Sequence, residues 1–412
     1  MKKTISQGIN DYFQRAEIFP DRVKLAEDQG VLPSVLSAIE DNKDEVNTYR
    51  PHEICLIGAG DFAVALASAF KPSVNIIIYD FEPIRNIFSR ISRVSTNRSF
   101  HVDFGDNVDF TSELKTALDA RYIILCVPAN ALPEMIEKIK EILPVTYKEK
   151  QYVLVSKGFV GKGYIPHRWL QKNGIPFEQI IWASGGNVAR DVVAKMALKM
   201  SVVSINKNKK ARREFAGFFN KDYIVPLEYS GSALLACELG GILKNYYAGF
   251  GRYIFLKYGE KELYKYKILV RKEFRRAVRT VAGSPTVSIR AWVIRKASHG
   301  PAFWEDLEVT IKEGRNGYFG EKIFNGAKVK ETLNDLGLVE SFKTVFSTLS
   351  LFTRLSRHAF NSLPILKGIL NIYEDLHIEY LDRGDAHLSE ESKKIAEEIE
   401  KRVLKYREFW LF

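Results

Sequence analysis

The feature that most constrains the fold is a series of short, almost wholly apolar runs between residues 51 and 205. Helical patterns, such as 61–70 and 131–142, lie between several of these runs. Strands that are apolar on both faces and alternate with helices are typical of a parallel sheet covered by helices on both sides. The predicted strands are 54–57, 75–79, 122–127, 152–155, 180–183 and 201–205.

The strand signal fades after about residue 228, and segments with helical spacing follow. They are 232–256, 260–281, 317–334, 338–360 and 388–408, with Pro285, Pro301 and Pro364 as predicted helix breakers. We therefore expect an α/β domain with a mostly parallel sheet, followed by an all-helical C-terminal domain. The predicted division is an N-terminal extension at 1–50, a sheet domain at 51–228 and a helical domain at 229–412, in which 346–412 is an extra helical tail.

Composition excludes several classes of protein. The chain has 412 residues, 46% of them hydrophobic, which is ordinary for a globular protein. No apolar run reaches the roughly 18–20 residues of a membrane span, and the polar N-terminus predicts no secretory signal. The three cysteines, Cys55, Cys126 and Cys237, form no CxxC pair, so we expect a reduced, cytoplasmic protein in which they pack as small hydrophobic residues.

The net charge of +11 permits nucleic acid, an anionic membrane surface or a phosphorylated small molecule as partner. The basic aromatic stretch 253–266 is interpreted as a helix with an aromatic inner face, so we predict no nucleic-acid partner. Segment 345–370 mixes apolar and basic residues and is consistent either with a helix packed on the domain or with peripheral membrane contact. Histidines are scattered without metal-ligand spacing, and no metal is predicted.

The strongest local signal is a glycine-rich turn directly after the first predicted strand. Its pattern is G-x-G-x-x-A, in which Gly58 allows a tight turn, Gly60 lets a phosphate approach the backbone and the small Ala63 packs helix against strand. The helix that follows offers free N–H groups to phosphates. The turn predicts a Rossmann-type dinucleotide site, with cofactor contacts from the segment Gly58, Ala59, Gly60, Asp61 and Phe62.

Asp80 ends the second predicted strand, 22 residues after Gly58. A carboxylate there can accept hydrogen bonds from the hydroxyls of an adenosine ribose and would repel a 2′-phosphate. The sequence therefore favours NAD over NADP. Lys157 follows the strand at 152–155 and should face the same crevice, because ligands bind at the carboxyl ends of parallel strands.

Further motifs carry a family resemblance. Glu238-Leu239-Gly240-Gly241-Ile242-Leu243-Lys244-Asn245 resembles the E-L-G-G-A-L-K-N helix of NAD-dependent glycerol-3-phosphate dehydrogenases. Segments 184–192, 300–310 and 314–320 are similar to that family's S-G-x-N-x-A-x-E-V, G-L-A-G-L-G-D-L-x-x-T and R-N-x-x-F-G blocks, and Asn97-Arg98 with 107–111 to the region after the second nucleotide strand. The blocks keep their order from about 52 to 345.

The resemblance implies a homodimer that interconverts dihydroxyacetone phosphate and glycerol 3-phosphate with NAD. It implies Lys244 as proton donor and acceptor, with Lys157 and Asp306 as its catalytic neighbours. A planar guanidinium fork suits phosphate, and the implied substrate contacts are Lys157, Asn245, Thr310, Arg315 and Asn316. Ala189, Lys157 and Arg315 are implied cofactor contacts. The product would supply glycerolipid synthesis.

The chain also departs from the family pattern. Phe303 and Glu305 replace two glycines of the family's G-x-G-D segment, and the chain between Thr286 and Gly300 is longer. These departures leave two alternatives open. One is a dehydrogenase of the same fold that acts on another phosphorylated or acidic ketone, and the other is a non-catalytic NAD(H)-binding protein.

Overall fold

The computed structural model describes residues 51–81, 102, 104–161, 163–185, 189–282, 291–337, 339–355 and 360–406. The predicted N-terminal extension at 1–50, Asn97-Arg98, Pro285 and the middle of the 184–192 block lie outside the described residues. Each described part of the chain belongs either to the sheet half or to the helical half that follows it.

Eight strands form one sheet in the order β3-β2-β1-β4-β5-β6-β7-β8. All neighbouring pairs are parallel except β6 with β7, which is antiparallel. The strands are β1 Ile54–Ile57, β2 Ile76–Tyr79, β3 Val108–Thr111, β4 Tyr122–Leu125, β5 Gln151–Leu154, β6 Ile180–Ser184, β7 Leu198–Ser204 and β8 Ile224–Ser230. The strand order reverses at β1, so the crevice for a ligand lies beyond the ends of β1 and β4.

The helices of the sheet half are α1 Asp61–Ser68, α2 Leu114–Ala117, α3 Leu132–Ile142, α4 Pro166–Lys172, α5 Ala189–Val193 and α6 Lys209–Phe218. The helical half consists of α7 Leu234–Tyr258, α8 Glu260–Ala282, α9 Ala291–His299, α10 Asp306–Glu313, α11 Arg315–Phe324, α12 Val329–Leu336, α13 Glu340–Lys343, α14 Val345–Leu355, α15 Pro364–Arg383 and α16 Glu390–Lys405. A π-helical turn, Pro301–Glu305, joins α9 to α10. The predicted fold class, an α/β sheet followed by helices, is confirmed.

The two faces of the sheet belong to different hydrophobic cores. Ile54 and Leu56 pack with α1 on one face. Cys55 and Ile57 point to the other face, in a core that continues into the helical half. Since side chains alternate along a strand, both faces of β1 are covered. This explains why its sequence is apolar at every position.

Helix α7 lies at the centre of the helical half. Every residue from 234 to 251 is buried, as expected for a helix with neighbours on all sides. It packs against β6, α8, α10 and α11. Its motif residues are therefore held by the core, and α7 joins the sheet to the helices.

Several predicted elements differ from the observed ones. Strands β3 and β8 lack an unbroken apolar run, and β8 extends to Ser230, past the predicted boundary at 228. The predicted helix 317–334 is interrupted near Gly326, which has φ +91°. Pro364 was predicted to break a helix, but it begins one. It occupies the first turn of α15, where its missing N–H removes no hydrogen bond.

Segment 345–370, predicted to be either packed or at a membrane surface, is packed in its described part. Phe352, Leu363 and Leu366 are buried in the main core, although Phe346 is 40% exposed. Among the described helices, none is long and apolar enough to cross a membrane.

A buried carboxylate fastens the C-terminal helices to the rest of the helical half. The side chain of Glu273, on α8, accepts hydrogen bonds from the backbone N–H groups of Ile365 (2.8 Å) and Leu366 (2.9 Å) in the first turn of α15. Burial raises the pKa of Glu273 to about 7, against the lowering effect of those two hydrogen bonds. The contact satisfies N–H groups that a helix leaves free at its start.

Helices α7 and α11 cross at two glycines, and this crossing generates a stability prediction. A Cβ placed on Gly320 would lie 2.2 Å from the Cα of Gly249. We expect Gly320→Ala to lower the free energy of unfolding by about 1–3 kcal/mol, because overpacking forces the helices apart. Chemical denaturation of the wild type and the variant measures this difference in the free energy of unfolding. Gly217→Ala on α6, where an added Cβ meets nothing within 4 Å, is the control and should not destabilise; equal losses in both variants would contradict the crossing.

Candidate active site

The glycine-rich turn lies between β1 and α1 at the carboxyl edge of the sheet. Gly58 has φ +99°, a conformation that L side chains rarely adopt, and a Cβ there would also press on Cys126 O and Val127 Cγ1, each at 3.3 Å. A Cβ on Gly60 would meet nothing within 4 Å. The backbone of Gly58 thus packs against other parts of the protein, whereas the space beside Gly60 is empty. A phosphate fits in that space, near the start of α1.

Asp80 directly follows β2 and is 4% exposed. Its Oδ2 accepts a hydrogen bond of 2.8 Å from the backbone N–H of Ala59. The carboxylate is therefore held beside the glycine turn, at the end of the second strand. Phe62 and Ala189 are half-buried and pack against the α1 side of the sheet.

Two lysines share one buried carboxylate. Asp306 is 2% exposed, and its Oδ1 accepts from Lys244 Nζ at 2.7 Å. Its Oδ2 accepts from Lys157 Nζ, also at 2.7 Å. Lys157 Nζ further donates to the carbonyl oxygen of Gly185, just past β6, at 3.1 Å. Residues from the loop after β5, from α7 and from α10 thus meet at one point, which we call the lysine–aspartate site.

Lys244 is buried, and Thr310 completes its surroundings. Lys244 Nζ donates to Thr310 Oγ1 at 2.6 Å, and that hydroxyl donates to Asp306 O at 2.6 Å. Burial lowers the pKa of Lys244 to about 8; Asp306 acts in the opposite direction, and the positive charge of Lys157 lowers the pKa further. Near neutral pH this amine can therefore both hold and release a proton.

A glycine in α7 permits this convergence. The stem of Lys157 lies against α7 at Gly241, where an added Cβ would lie at an ordinary van der Waals distance of 3.4 Å from Lys157 Cγ. A Cβ on Gly240 would lie 2.8 Å from Ala302 O, in the π-helical turn. The turn can therefore pack directly on α7 and bring Asp306 opposite Lys244.

The predicted phosphate contacts lie around α11. Arg315 is exposed in the first turn of α11. Burial raises the pKa of Asp61 in the glycine turn and the charge of Arg315 opposes that shift, so the two side chains are electrostatic neighbours. Strand order places Lys157 two strands from Gly58, or about 10 Å. The structure thus brings the glycine turn, the lysine–aspartate site and Arg315 to the same edge of the sheet.

Glu340 and Ser341, which the sequence analysis did not predict as site residues, contact the side-chain amides of Asn245 and Asn316. Asn245 Nδ2 donates to Glu340 Oε2 at 2.7 Å, and Asn316 Oδ1 accepts from the backbone N–H of Ser341 at 2.9 Å. Both partners belong to α13. Nothing in the sequence distinguishes Glu340 from the many charged residues of the helical half.

The two departures from the family glycines lie in the π-helical turn just before Asp306. Phe303 is fully buried and stacks on Phe274 with ring centroids 3.9 Å apart. The carboxylate of Glu305 lies 3.5 Å from Lys199 Nζ, and both side chains are exposed. A Cβ on Gly240 would lie 3.2 Å from Phe303 Cβ, so Phe303 packs on α7 one helical turn before Lys244.

A Rossmann-type sheet with a glycine turn, followed by a helical half that supplies a buried lysine, is an arrangement typical of NAD(P)-dependent oxidoreductases. A family model described as the NAD-dependent glycerol-3-phosphate dehydrogenase N-terminus matches residues 53–211. Over residues 53–211 the chain is therefore similar to this family.

Over the aligned residues, the curated relatives are only about a quarter identical to this chain. Glycerol-3-phosphate dehydrogenase [NAD(P)+] of Alcanivorax borkumensis is 26% identical over 205 residues, which is 49% of this chain and 57% of that protein. The enzyme of the same name from Limosilactobacillus reuteri is 23% identical over 360 residues, which is 83% of this chain and 99% of that protein. The chain thus spans little more than half of the first relative and nearly all of the second.

Solved structures show the same fold. A glycerol-3-phosphate dehydrogenase from Coxiella burnetii aligns with a TM-score of 0.66 at 19% identity and covers 86% of this chain and 99% of its own. The glycerol-3-phosphate dehydrogenase of the yeast Saccharomyces cerevisiae aligns with a TM-score of 0.64 at 16% identity. That alignment covers 81% of this chain and 99% of the yeast chain. The alignment with the Coxiella burnetii structure covers 86% of this chain, which is more than 345 residues. It therefore includes part of the segment 346–412, which was predicted to be an extra tail.

The shared carboxylate generates a prediction about charge. Asp306→Asn removes the negative charge between two ammonium groups, so the pKa of Lys244 should fall further below 8. NMR titration of reductively ¹³C-methylated lysines, with Lys244→Met to assign the signal, measures the shift. Glu305→Gln, one residue earlier and exposed, should leave that titration unchanged. An unaltered Lys244 pKa in Asp306→Asn would show that the carboxylate does not set it.

Proposed function

We propose that this protein interconverts dihydroxyacetone phosphate and glycerol 3-phosphate by hydride transfer with NAD(H). The observation that carries the proposal is the buried Lys244 amine, with a pKa of about 8, held by Asp306 at the same sheet edge as the glycine turn. Reduction of a ketone needs a proton donor beside a hydride donor, and this is the side chain suited to the first role.

Lys244 is the proposed acid and base. The bound nicotinamide supplies the hydride to the carbonyl carbon. As the carbonyl oxygen gains negative charge, the Lys244 ammonium stabilises it and gives it a proton, which leaves a neutral amine and an alcohol. In the reverse direction the neutral amine takes the alcohol proton. Lys157 contributes a second positive charge, and Asp306 holds both amines in position.

Arg315 and Asn316 are proposed to bind the substrate phosphate. A guanidinium fork and an amide donor at the start of α11 suit a dianion. Asn245 and Thr310 are proposed to complete the contacts from α7 and α10. A positive site also favours encounter with a dianionic substrate.

The dinucleotide is proposed to be NAD, held by the segment from Gly58 to Phe62, by Ala189 and by Arg315. The position of Asp80 beside the turn supports NAD over NADP, because a carboxylate repels a 2′-phosphate. The division into a dinucleotide-binding part at 51–228 and a helical substrate part at 229–412 is proposed on the same grounds.

The wider setting is also proposed. Similarity to glycerol-3-phosphate dehydrogenases supports a homodimer and a supply of glycerol 3-phosphate for glycerolipid synthesis. The free thiols support a reducing cytoplasm: Cys55 and Cys237 are buried, and burial raises the pKa of Cys237 to about 12, which makes it unreactive.

The proposed activity is tested by following NADH oxidation with dihydroxyacetone phosphate as the acceptor, beside a panel of other phosphorylated and acidic ketones. Turnover with dihydroxyacetone phosphate at the highest kcat/KM supports the proposal. Preference for another ketone would support the alternative substrate, and tight NADH binding with no turnover would support the non-catalytic alternative.

Removal of the proposed acid gives the sharpest variant. Lys244→Ala should lower kcat by at least about 10²-fold, the usual contribution of a positioned proton donor, while NADH binding measured by fluorescence stays within a few-fold. Lys138→Ala, on the exposed surface of α3, is the matched control and should keep full activity. Near-normal turnover in Lys244→Ala would remove this residue from the mechanism.

The pH dependence follows from the same pKa. Oxidation of glycerol 3-phosphate needs neutral Lys244, so its kcat/KM should rise as pH increases through about 8. Reduction of dihydroxyacetone phosphate needs the protonated amine, and its kcat/KM should fall over the same range. Rate profiles in both directions measure this. Profiles that change in the same direction would contradict one shared acid–base group.

A further inference from the structure

A long stretch of the helical half contains no acidic residue. Residues 274–304 include six Lys and Arg residues and no Asp or Glu. The stretch runs from the middle of α8 through α9 to the π-helical turn before Asp306. It also contains the segment that is longer here than in the family pattern, and nothing in the proposed reaction uses its charges.

Part of this charge is gathered on one face. Arg271, Arg275 and Arg279 are four residues apart on α8 and so lie along one side of the helix. Arg295 and His299, again four apart, extend from α9. We call these five residues the arginine face. Arg271 and Arg275 are half-buried, and the other three are exposed.

Contacts with neutral groups fix the two half-buried arginines, Arg271 and Arg275. Arg275 Nε donates to Ser298 Oγ at 2.9 Å, and its Nη2 lies 3.4 Å from His299 Nδ1. The guanidinium carbon of Arg271 lies 4.7 Å from the centre of the Trp304 ring, as in a cation–π contact. Both guanidinium groups are thus oriented by packing, and neither contact neutralises their charge.

The arginine face lacks countercharge within the described part of the chain. None of its four arginines forms an ion pair there, although the neighbouring Lys265 and Lys267 on the same helix do. Burial lowers the pKa of Arg275, and the charges of Arg271, Arg295 and Arg279 lower it further. Like charges held this close destabilise the fold, so an anion that binds them would relieve the repulsion.

We propose that the arginine face binds a ligand that carries several phosphate groups. A guanidinium presents a planar fork that pairs with phosphate oxygens, and the four cationic positions that do not depend on pH are all arginine, not lysine. Arg271 and Arg279 are two helical turns apart, or about 12 Å along α8, which exceeds the reach of one phosphate. The shared chemistry fits a free polyphosphate or a row of phospholipid headgroups.

The test uses the full chain and two probes. Isothermal titration with inorganic tripolyphosphate measures binding of a free ligand, and co-sedimentation with phosphatidylcholine vesicles, with and without phosphatidylglycerol, measures binding to headgroups. The variant is Arg275→Gln/Arg295→Gln. The control is Lys138→Gln/Arg383→Gln, which removes the same charge from exposed ion pairs on other surfaces. Because Arg315 could also bind phosphate, every measurement is repeated in an Arg315→Gln background.

We expect the arginine variant to bind at least one probe ten-fold or more weakly than the wild type and the control, with circular dichroism showing that all three are folded. If the double variant fails to fold, Arg295→Gln alone, at an exposed position, serves in its place. A defect with tripolyphosphate identifies a soluble ligand, and a defect with anionic vesicles alone identifies headgroups. No binding of either probe by the wild type, or equal binding by variant and control, would overturn the proposal.

Discussion

The placement of one carboxylate between two ammonium groups is the interaction on which the site depends. Asp306 is almost fully buried and gives one oxygen each to Lys157 and Lys244. An unpaired buried charge is costly, so each of the three groups requires the others. Because they come from the loop after β5, from α7 and from α10, the sheet and the helical half must dock in one register for the trio to form. Burial lowers the pKa of Lys244 toward neutrality, and the positive charge of Lys157 lowers it further, while Asp306 opposes the shift.

The rest of the fold supplies the conditions for that trio. Helix α7 is buried from residue 234 to residue 251, and Gly240 lets the π-helical turn approach its backbone. The sheet places the glycine turn after β1 and Lys157 after β5, two strands away, at the same edge of the sheet. Buried contacts from the C-terminal helices, such as that of Glu273 with α15, complete the scaffold.

Part of this could be predicted from the sequence because the signals are local. The bounds of β1 are as predicted, since an apolar run followed by G-x-G-x-x-A is a short pattern whose physics is contained in a few residues. Helix α7 was predicted at 232–256 and is observed at Leu234–Tyr258. Strands β3 and β8 were less visible, because Asp109 and Glu228 interrupt the apolar pattern in strands near the edges of the sheet.

The features that the sequence did not predict depend on tertiary contacts. No local pattern reports that Phe303 would stack on Phe274, that Glu340 would accept a hydrogen bond from Asn245, or that the turn at Pro301–Glu305 would be π-helical. The arrangement of Lys157, Lys244 and Asp306 was implied only by a family resemblance, because residues 149 and 62 positions apart carry no shared spacing signal. Their mutual hydrogen bonds appear only once the two halves are docked.

A crystal structure with NAD and glycerol 3-phosphate bound together tests the central claim most directly. We predict that Lys244 Nζ lies within about 3 Å of the oxygen on the central carbon of the substrate, and that Asp306 still bridges both lysines. The claim is contradicted if that oxygen contacts a different proton donor while Lys244 remains bonded only to Asp306 and Thr310.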